Sequence, residues 1–335
     1  MLPRLIGLIG LFVFLLAGQV LGGPKSRPNV VLIFTDDQGM HDVGCYGSEI
    51  ATPHIDSLAR DGMKFPQWYV ASSICTPSRF GLLTGQFPPR SRDELLRALM
   101  FLGDKKRGIQ KGEVTFPGLL RKGGYHTAVI GKWHLKEEPN FNYYKVLPGQ
   151  GKYFDTEFRV QGNKPWPRNV VTQKGEHSSD AITDSTLHWF KTKYDKDKPF
   201  FICHQFKAPH DYFENATRYQ KYLADVKNPE PPTLYDVPDT FGSIATRGYQ
   251  DELLPHIGTS IGKRNPRRSY AVDLKERFPG ELPADYDVAK LSERETTRLA
   301  YQAYLRKYLR CVKGVDDNLK RLFDYLKACL LYTSP

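Results

Sequence analysis

Cysteine is scarce in this chain: Cys45, Cys75, Cys203, Cys311 and Cys329 are the only five, and none forms a CxxC pair. That excludes a disulfide-built scaffold, and the spacing dictates no pairing; the odd count flags one thiol as special. Internal repeats and low-complexity runs are absent, which excludes solenoid and disordered architectures. The net charge of +11 comes with no helix-turn-helix, zinc-finger or RNA-binding signature. Nucleic acid is therefore not an expected partner, and the basic surface reads as an attraction for anionic substrates. Long apolar runs are limited to one, Leu5 to Ala17, behind Arg4 and ahead of the small residues Gly18, Gly22 and Gly23. It is short for a bilayer span and has the order of a signal peptide, so residues 1–23 are set outside the fold. The expected location is the secretory pathway (extracellular, periplasmic or lysosomal), with no stable membrane insertion after cleavage.

What is present is core-forming material. Apolar residues make up 40% of the chain, with 19 Tyr, 19 Phe and 4 Trp, enough for one large core. Three short runs rich in β-branched and aromatic residues read as buried strands: Asn29–Thr35, His126–Ile130 and Pro199–Phe206. Helices are expected from Thr52-Pro53 onward, over Thr115–Arg121 up to Gly123-Gly124, over Ser178–Lys193 and over Ser292–Lys327. Strand–helix alternation predicts an α/β fold, a mainly parallel central sheet flanked by helices. The proline-rich stretch 211–285 shows little periodicity and reads as a long substrate-contacting excursion.

The chemistry lies just beyond each strand. Asp36-Asp37-Gln38 follows the first, Lys132-Trp133-His134 the second and Lys207-Ala208-Pro209-His210 the third. Open parallel sheets bind ligands beyond the carboxyl ends of their strands, so these residues converge as a hard-cation site beside an anion site. Between the first two strands stands Cys75-Thr76-Pro77-Ser78-Arg79. Pro77 suits a first helical turn and puts Cys75 at the helix N-terminus, where free N–H groups favour an anion. By residue type alone Cys75 is either a low-pKa nucleophile or a buried structural thiol. Arg79 can grip an oxyanion bidentately.

C-x-P-x-R trailed by L-T-G resembles the signature of the sulfatases, members of the alkaline-phosphatase-like superfamily. The segments NVVLIFTDDQG, TPHIDSLARDGMKF, SSICTPSRFGLLTG, GYHTAVIGKWHL and FKAPH agree with that family in order and kind, over most of residues 28–210. The helix DDNLKRLFDYL extends the likeness toward the C-terminus, so a catalytic domain is expected over 28–328.

The resemblance implies roles residue by residue. Cys75 would be oxidised to Cα-formylglycine by a maturation enzyme, and a hydroxyl of its hydrate would attack the sulfur of a sulfated carbohydrate or aryl sulfate. Asp36 and Asp37, with modified Cys75, would hold a divalent cation, Ca²⁺ ahead of Mg²⁺ by the resemblance; the all-oxygen donors suit a hard cation and argue against zinc. Arg79 and Lys132 would orient and neutralise the hydrate and sulfate. His134 would assist proton transfer at the hydrate, His210 would protonate the leaving alcohol, and Lys207 would bind a sulfate oxygen. His41, His54 and His126 are read as capping, packing or solvent-facing, and Asn215-Ala216-Thr217 as a glycosylation sequon.

One part of the family pattern has no match here. The family completes its cation cage with Asp-Asn or Asp-Gln at the end of a later strand, followed by a lysine. This sequence reads Cys329-Leu330-Leu331-Tyr332-Thr333-Ser334-Pro335 instead, with Pro335 where the aspartate is expected. Residues 329–335 are accordingly read as a truncated or non-native tail, and weak Ca²⁺ binding and little turnover are expected of the chain as written. The alternatives are a phosphate or phosphonate ester hydrolase of the same superfamily and an inactive sulfated-glycan-binding remnant.

Overall fold

The computed structural model describes residues 27–97, 108–235 apart from 163, 212 and 233, and 280–331 apart from 282–286, 288, 289 and 330. The signal-peptide reading, residues 236–279 and 282–285 of the 211–285 excursion, and tail residues 330 and 332–335 lie outside these. Among the described residues six strands form one sheet: β1 (Val30–Phe34), β2 (His126–Lys132), β3 (Tyr143–Leu147), β4 (Thr156–Val160), β5 (Val170–Gln173) and β6 (Phe200–Gln205). Their order is β1-β6-β2-β3-β4-β5. The β1–β6, β6–β2 and β2–β3 pairs are parallel, whereas β3–β4 and β4–β5 are antiparallel. The sheet is therefore mixed. β3, β4 and β5 were not among the three expected strands, which are β1, β2 and β6 and pair only in parallel.

Among the described residues the α-helices longer than one turn are α1 (Pro53–Asp61), α2 (Cys75–Thr84), α3 (Phe116–Lys122), α4 (Ser178–Thr192) and α5 (Glu293–Ala328), and Glu94–Arg97 forms a single turn. Their starts follow local chemistry. The Thr115 hydroxyl accepts from the Gly118 N–H, capping α3. Ser292 and Glu295 form a reciprocal capping box at α5. Thr52 precedes α1, but its hydroxyl takes the Gly44 N–H, and Asp316 of α5 caps the helix instead.

β6 is buried along its whole length because strands flank it and helices cover both faces. Alternating residues sort to opposite sides, as the pleat requires. Ala128, Ile130, Phe200 and Ile202 join Ile182, Trp189 and Phe190 of α4 and Val312, Val315, Leu319 and Leu322 of α5. Val129, Phe201 and Cys203 join Trp133, Phe141 and Leu83 of α2. Each large side chain buried this way contributes about 1.5–3 kcal/mol, and a one-residue slip would reverse every facing, so the register is firmly set. In that register Phe34 and Gly131 both pair with Gln205. The ends of β1, β2 and β6 are thereby level.

Candidate active site

Level strand ends bring Asp36, Lys132 and Lys207 to one place. Asp36 is buried and accepts hydrogen bonds from Arg79 Nη2 at 3.3 Å and from Lys132 Nζ. Burial alone would raise its pKa, but the opposing charges of Arg79, Lys132 and His210 outweigh it and hold the carboxyl well below the usual range. Asp37 takes a left-handed backbone (φ 60°) and sets Oδ2 3.5 Å from His210 Nε2. Its pKa is raised, first by burial and then by the Asp36 charge.

Cys75 is the first residue of α2, after extended Ile74. The first-turn N–H groups of a helix have no partner within it, so the thiol sits at an electropositive end. Sγ lies 3.0 Å from His134 Nδ1. Burial raises the thiol pKa, yet the His134 hydrogen bond and the charges of His134 and Lys132 prevail and the net shift is downward. One turn along, Arg79 is buried beneath the Phe34 ring. Its Nη1 donates to the Lys132 carbonyl at 2.5 Å and to Gln205 Oε1 at 2.9 Å. Arg79 thus ties α2 to the ends of all three central strands. Its Nη1 is fully engaged with protein acceptors, whereas its buried Nε has no hydrogen-bond partner and Nη2 makes a single bond, so the Nε–Nη2 edge is the side left for the expected bidentate grip on an oxyanion.

At the end of β2 the side chains alternate. Lys132 is wholly buried and donates to Asp36 and, at 2.5 Å, to Gln150 Oε1. Trp133 turns to the opposite core. His134, with φ 54°, turns back to Cys75, and the Thr76 hydroxyl donates to its carbonyl at 3.2 Å. Lys207, past β6, is buried over the Tyr153 ring; burial, then the Lys132 charge, lowers its pKa to about 8. His210 Nδ1 faces the Asp211 carbonyl at 2.7 Å and Asp211 Oδ1 at 2.8 Å. Both are acceptors, so Nδ1 carries a proton and Nε2 is the atom left facing Asp37.

Every site residue expected from the sequence belongs to this interacting set. Gln150, Tyr153, Gln205 and Asp211 belong to it too and were not anticipated. Gln205 ends an expected strand, and its place in that strand was the available signal. Gln150 and Tyr153 lie in the β3–β4 connection, a region the sequence reading left blank.

His41 and His126, set aside in the sequence, pair with backbone groups. His41 Nδ1 bonds with the Tyr46 carbonyl, and His126 Nδ1 accepts from the Asp195 N–H. His54, Asp316 and Asp317 are the one group of three metal-capable side chains gathered among the described residues. There, Asp316 Oδ1 accepts the His54 and Ile55 N–H groups, while Asp317 accepts from Lys313 and Tyr219, which accounts for the group as a helix cap. All five cysteines are free. Asn215 is buried and donates to the Ala216 carbonyl, leaving its sequon no open side chain in this fold. Among the described residues no helix is long and apolar enough to cross a membrane.

A cysteine on a helix N-terminus faces a histidine near the buried Asp36, Arg79, Lys132 and Lys207 at parallel strand ends, an α/β arrangement that can accommodate an anion. The sulfatase family profile matches residues 28–334, and the chain belongs to that family. It is 32% identical to an N-acetylglucosamine-6-O-sulfatase of Bacteroides thetaiotaomicron over 329 residues, covering 90% of this chain and 55% of that protein. An N-acetylgalactosamine-6-O-sulfatase of the same organism is 40% identical over 176 residues, covering 50% and 34%. A protein solved in complex with its substrate D-glucosamine-2-N,6-O-disulfate superposes with a TM-score of 0.71 at 29% identity, covering 91% of this chain and 63% of that one. The chain thus spans about half the length of the first of these relatives.

Proposed function

We propose that this chain carries the catalytic face of a sulfuric ester hydrolase, in a catalytic domain over residues 28–328 behind a signal peptide. The observation that carries the reading is the Cys75–His134 contact at 3.0 Å beside the Asp36–Lys132–Arg79 cluster. Cys75 is the unmodified thiol, the precursor from which a maturation enzyme would make formylglycine; that group would supply a hydrated aldehyde, one hydroxyl to attack sulfur as the alcohol departs and the other to expel sulfate as the aldehyde re-forms.

The donor set fits a hard cation. Asp36 and Asp37 offer only carboxylate oxygen, and the Asp36 charge already raises the Asp37 pKa, a repulsion that a cation relieves. Ca²⁺, ahead of Mg²⁺, would sit at Asp36, Asp37 and modified Cys75 and would favour a deprotonated oxygen there. The remaining work belongs to the chain's own residues. Lys132 and Arg79 hold Asp36 ionised and add positive charge toward an incoming sulfate. His134 takes or returns a proton at the Cys75 position. Lys207 binds a sulfate oxygen as its ammonium form. His210, with Nδ1 held by Asp211, delivers a proton from Nε2 to the departing alcohol.

The proposed substrate is a sulfated carbohydrate, in the first instance a 6-O-sulfated N-acetylhexosamine as in the names of the two Bacteroides relatives, with aryl sulfates as simple surrogates. The proposed setting is the secretory pathway. The test is sulfate release from 6-O-sulfated N-acetylglucosamine and an aryl sulfate after co-expression with a formylglycine-generating enzyme. Whatever turnover the chain shows is expected to be lost in Cys75→Ala; turnover retained there above background, or an aryl phosphate cleaved in preference, overturns the reading.

A further inference from the structure

Tyr153 is buried in the β3–β4 connection, and nothing in the reaction as described calls on it. Its main chain is fixed, because the Ser178 N–H at the start of α4 donates to its carbonyl at 2.7 Å. Its ring stacks on His177 at 5.4 Å between centroids. Two further contacts point toward the site. The hydroxyl donates to the carbonyl of His210, and the ring face lies 4.6 Å from Lys207 Nζ. Lys207 and His210 are the two ends of one turn, closed by the His210 N–H donating to the Lys207 carbonyl at 3.1 Å.

One rigid side chain therefore touches both ends of the turn that carries two functional groups. We propose that Tyr153 is a positioning residue: its ring fixes the Lys207 ammonium, and its hydroxyl fixes the backbone from which the His210 imidazole projects. The proposal rests on the reading of Lys207 as sulfate ligand and His210 as proton donor. The physical reasons differ for the two halves. A desolvated ammonium is held over an aromatic face by the ring quadrupole, which phenylalanine supplies as well as tyrosine. A buried carbonyl keeps its place through a hydrogen bond that only the hydroxyl can give. The two halves are therefore separable by substitution.

The test uses the full chain with three variants and two readouts that need no turnover. Tyr153→Phe keeps the ring and removes one hydrogen bond. Amide exchange at His210 is expected to quicken about tenfold while the β6 amides are unchanged. Its affinity for inorganic sulfate is expected to stay within about twofold, whereas Tyr153→Leu, lacking the ring, loses about fivefold or more. An unchanged His210 amide in Tyr153→Phe, or equal loss of sulfate affinity in both variants, overturns the proposal. Lys207→Met separates this from the underlying reading. If it leaves sulfate affinity intact, Lys207 is not the sulfate ligand, and the exchange result still decides whether Tyr153 holds the turn. Where turnover is measurable, Tyr153→Phe is expected to lower kcat for sugar sulfates more than for aryl sulfates, whose leaving groups need little protonation. An equal fall for both counts against the hydroxyl acting through His210.

Discussion

Cys75 Sγ lies 3.0 Å from His134 Nδ1, across the gap between the first turn of α2 and the second residue beyond β2. Burial works against ionising this thiol, and the histidine and Lys132 more than compensate. In protein made without the maturation enzyme, alkylation of Cys75 should therefore reach half its maximal rate at a pH below that of an ordinary cysteine. His134→Ala should move the midpoint up, because the leading favourable contribution is gone. A midpoint indifferent to His134 would mean that the helix end alone sets the thiol's reactivity.

Asp36 is the anionic member of a buried trio with Lys132 and Arg79. Asp36→Asn leaves two buried cations facing a neutral amide, a change expected to cost about 3–5 kcal/mol in urea unfolding. The pH dependence follows from the direction of the shift. The folded-state pKa lies below the ordinary carboxylate value of 3.8, so this stabilisation is fully present above that value. It declines as the pH falls from there through the lower folded-state pKa. Wild type should lose stability across that acid range, and Asp36→Asn should lose less. Parallel curves for the two proteins would remove Asp36 as the source.

Lys207 carries the opposite sign. Its folded pKa is lowered from 10.5 to about 8 by burial and by Lys132, so the folded state gives up this proton before the unfolded one does. The cost of holding the ammonium is complete below about 8 and is relieved as the pH rises toward 10.5. Sulfate binding runs the other way, because it needs the charged form. Affinity for inorganic sulfate should fall above pH 8, and Lys207→Arg, which stays charged, should flatten that fall. A decline that persists in the arginine variant would assign it to another group.

The parallel half of the fold and the chemistry at its edge could be read from residues. NVVLIFT, HTAVI and PFFICHQF are dense enough in β-branched and aromatic residues to be buried strands, and polar residues follow each one directly. The β3–β5 strands were not legible. Tyr143–Leu147 and Thr156–Val160 mix charged and apolar residues over five positions, and they become strands through pairing with β2 and with one another. Propensity in so short a segment is easily overridden by tertiary context. The same blank hid Gln150 and Tyr153, whose contacts with Lys132, Lys207 and His210 depend on where the β3–β4 connection lies in space. The Arg79 attachments were hidden for a related reason. Sequence places an arginine one turn from Cys75, but only the register shows that Gln205 and the Lys132 carbonyl reach it first.

Gly131 ties the fold to the site. It precedes Lys132 in β2, adopts φ +107°, and pairs with Gln205 across the strand. An added Cβ would overlap the Gln205 carbonyl oxygen, a backbone atom that cannot rotate aside. Gly131→Ala therefore meets two penalties, a backbone conformation foreign to L-residues and a clash inside the sheet. Gly175 isolates the first, since its φ is +77° and nothing lies within 4 Å of where its Cβ would be. Gly175→Ala should cost about 1 kcal/mol, and Gly131→Ala at least about 3 kcal/mol, in urea unfolding followed by tryptophan fluorescence. The clash also has a chemical consequence. Parting β2 from β6 at this point separates Lys132 from Gln205, and Arg79 bonds to both. Any folded fraction of Gly131→Ala should therefore show the Cys75 alkylation midpoint moved toward the ordinary thiol value, with Gly175→Ala matching wild type. Equal stability costs for the two glycines would show that the sheet opens here freely, and that the level strand ends are not what holds the site together.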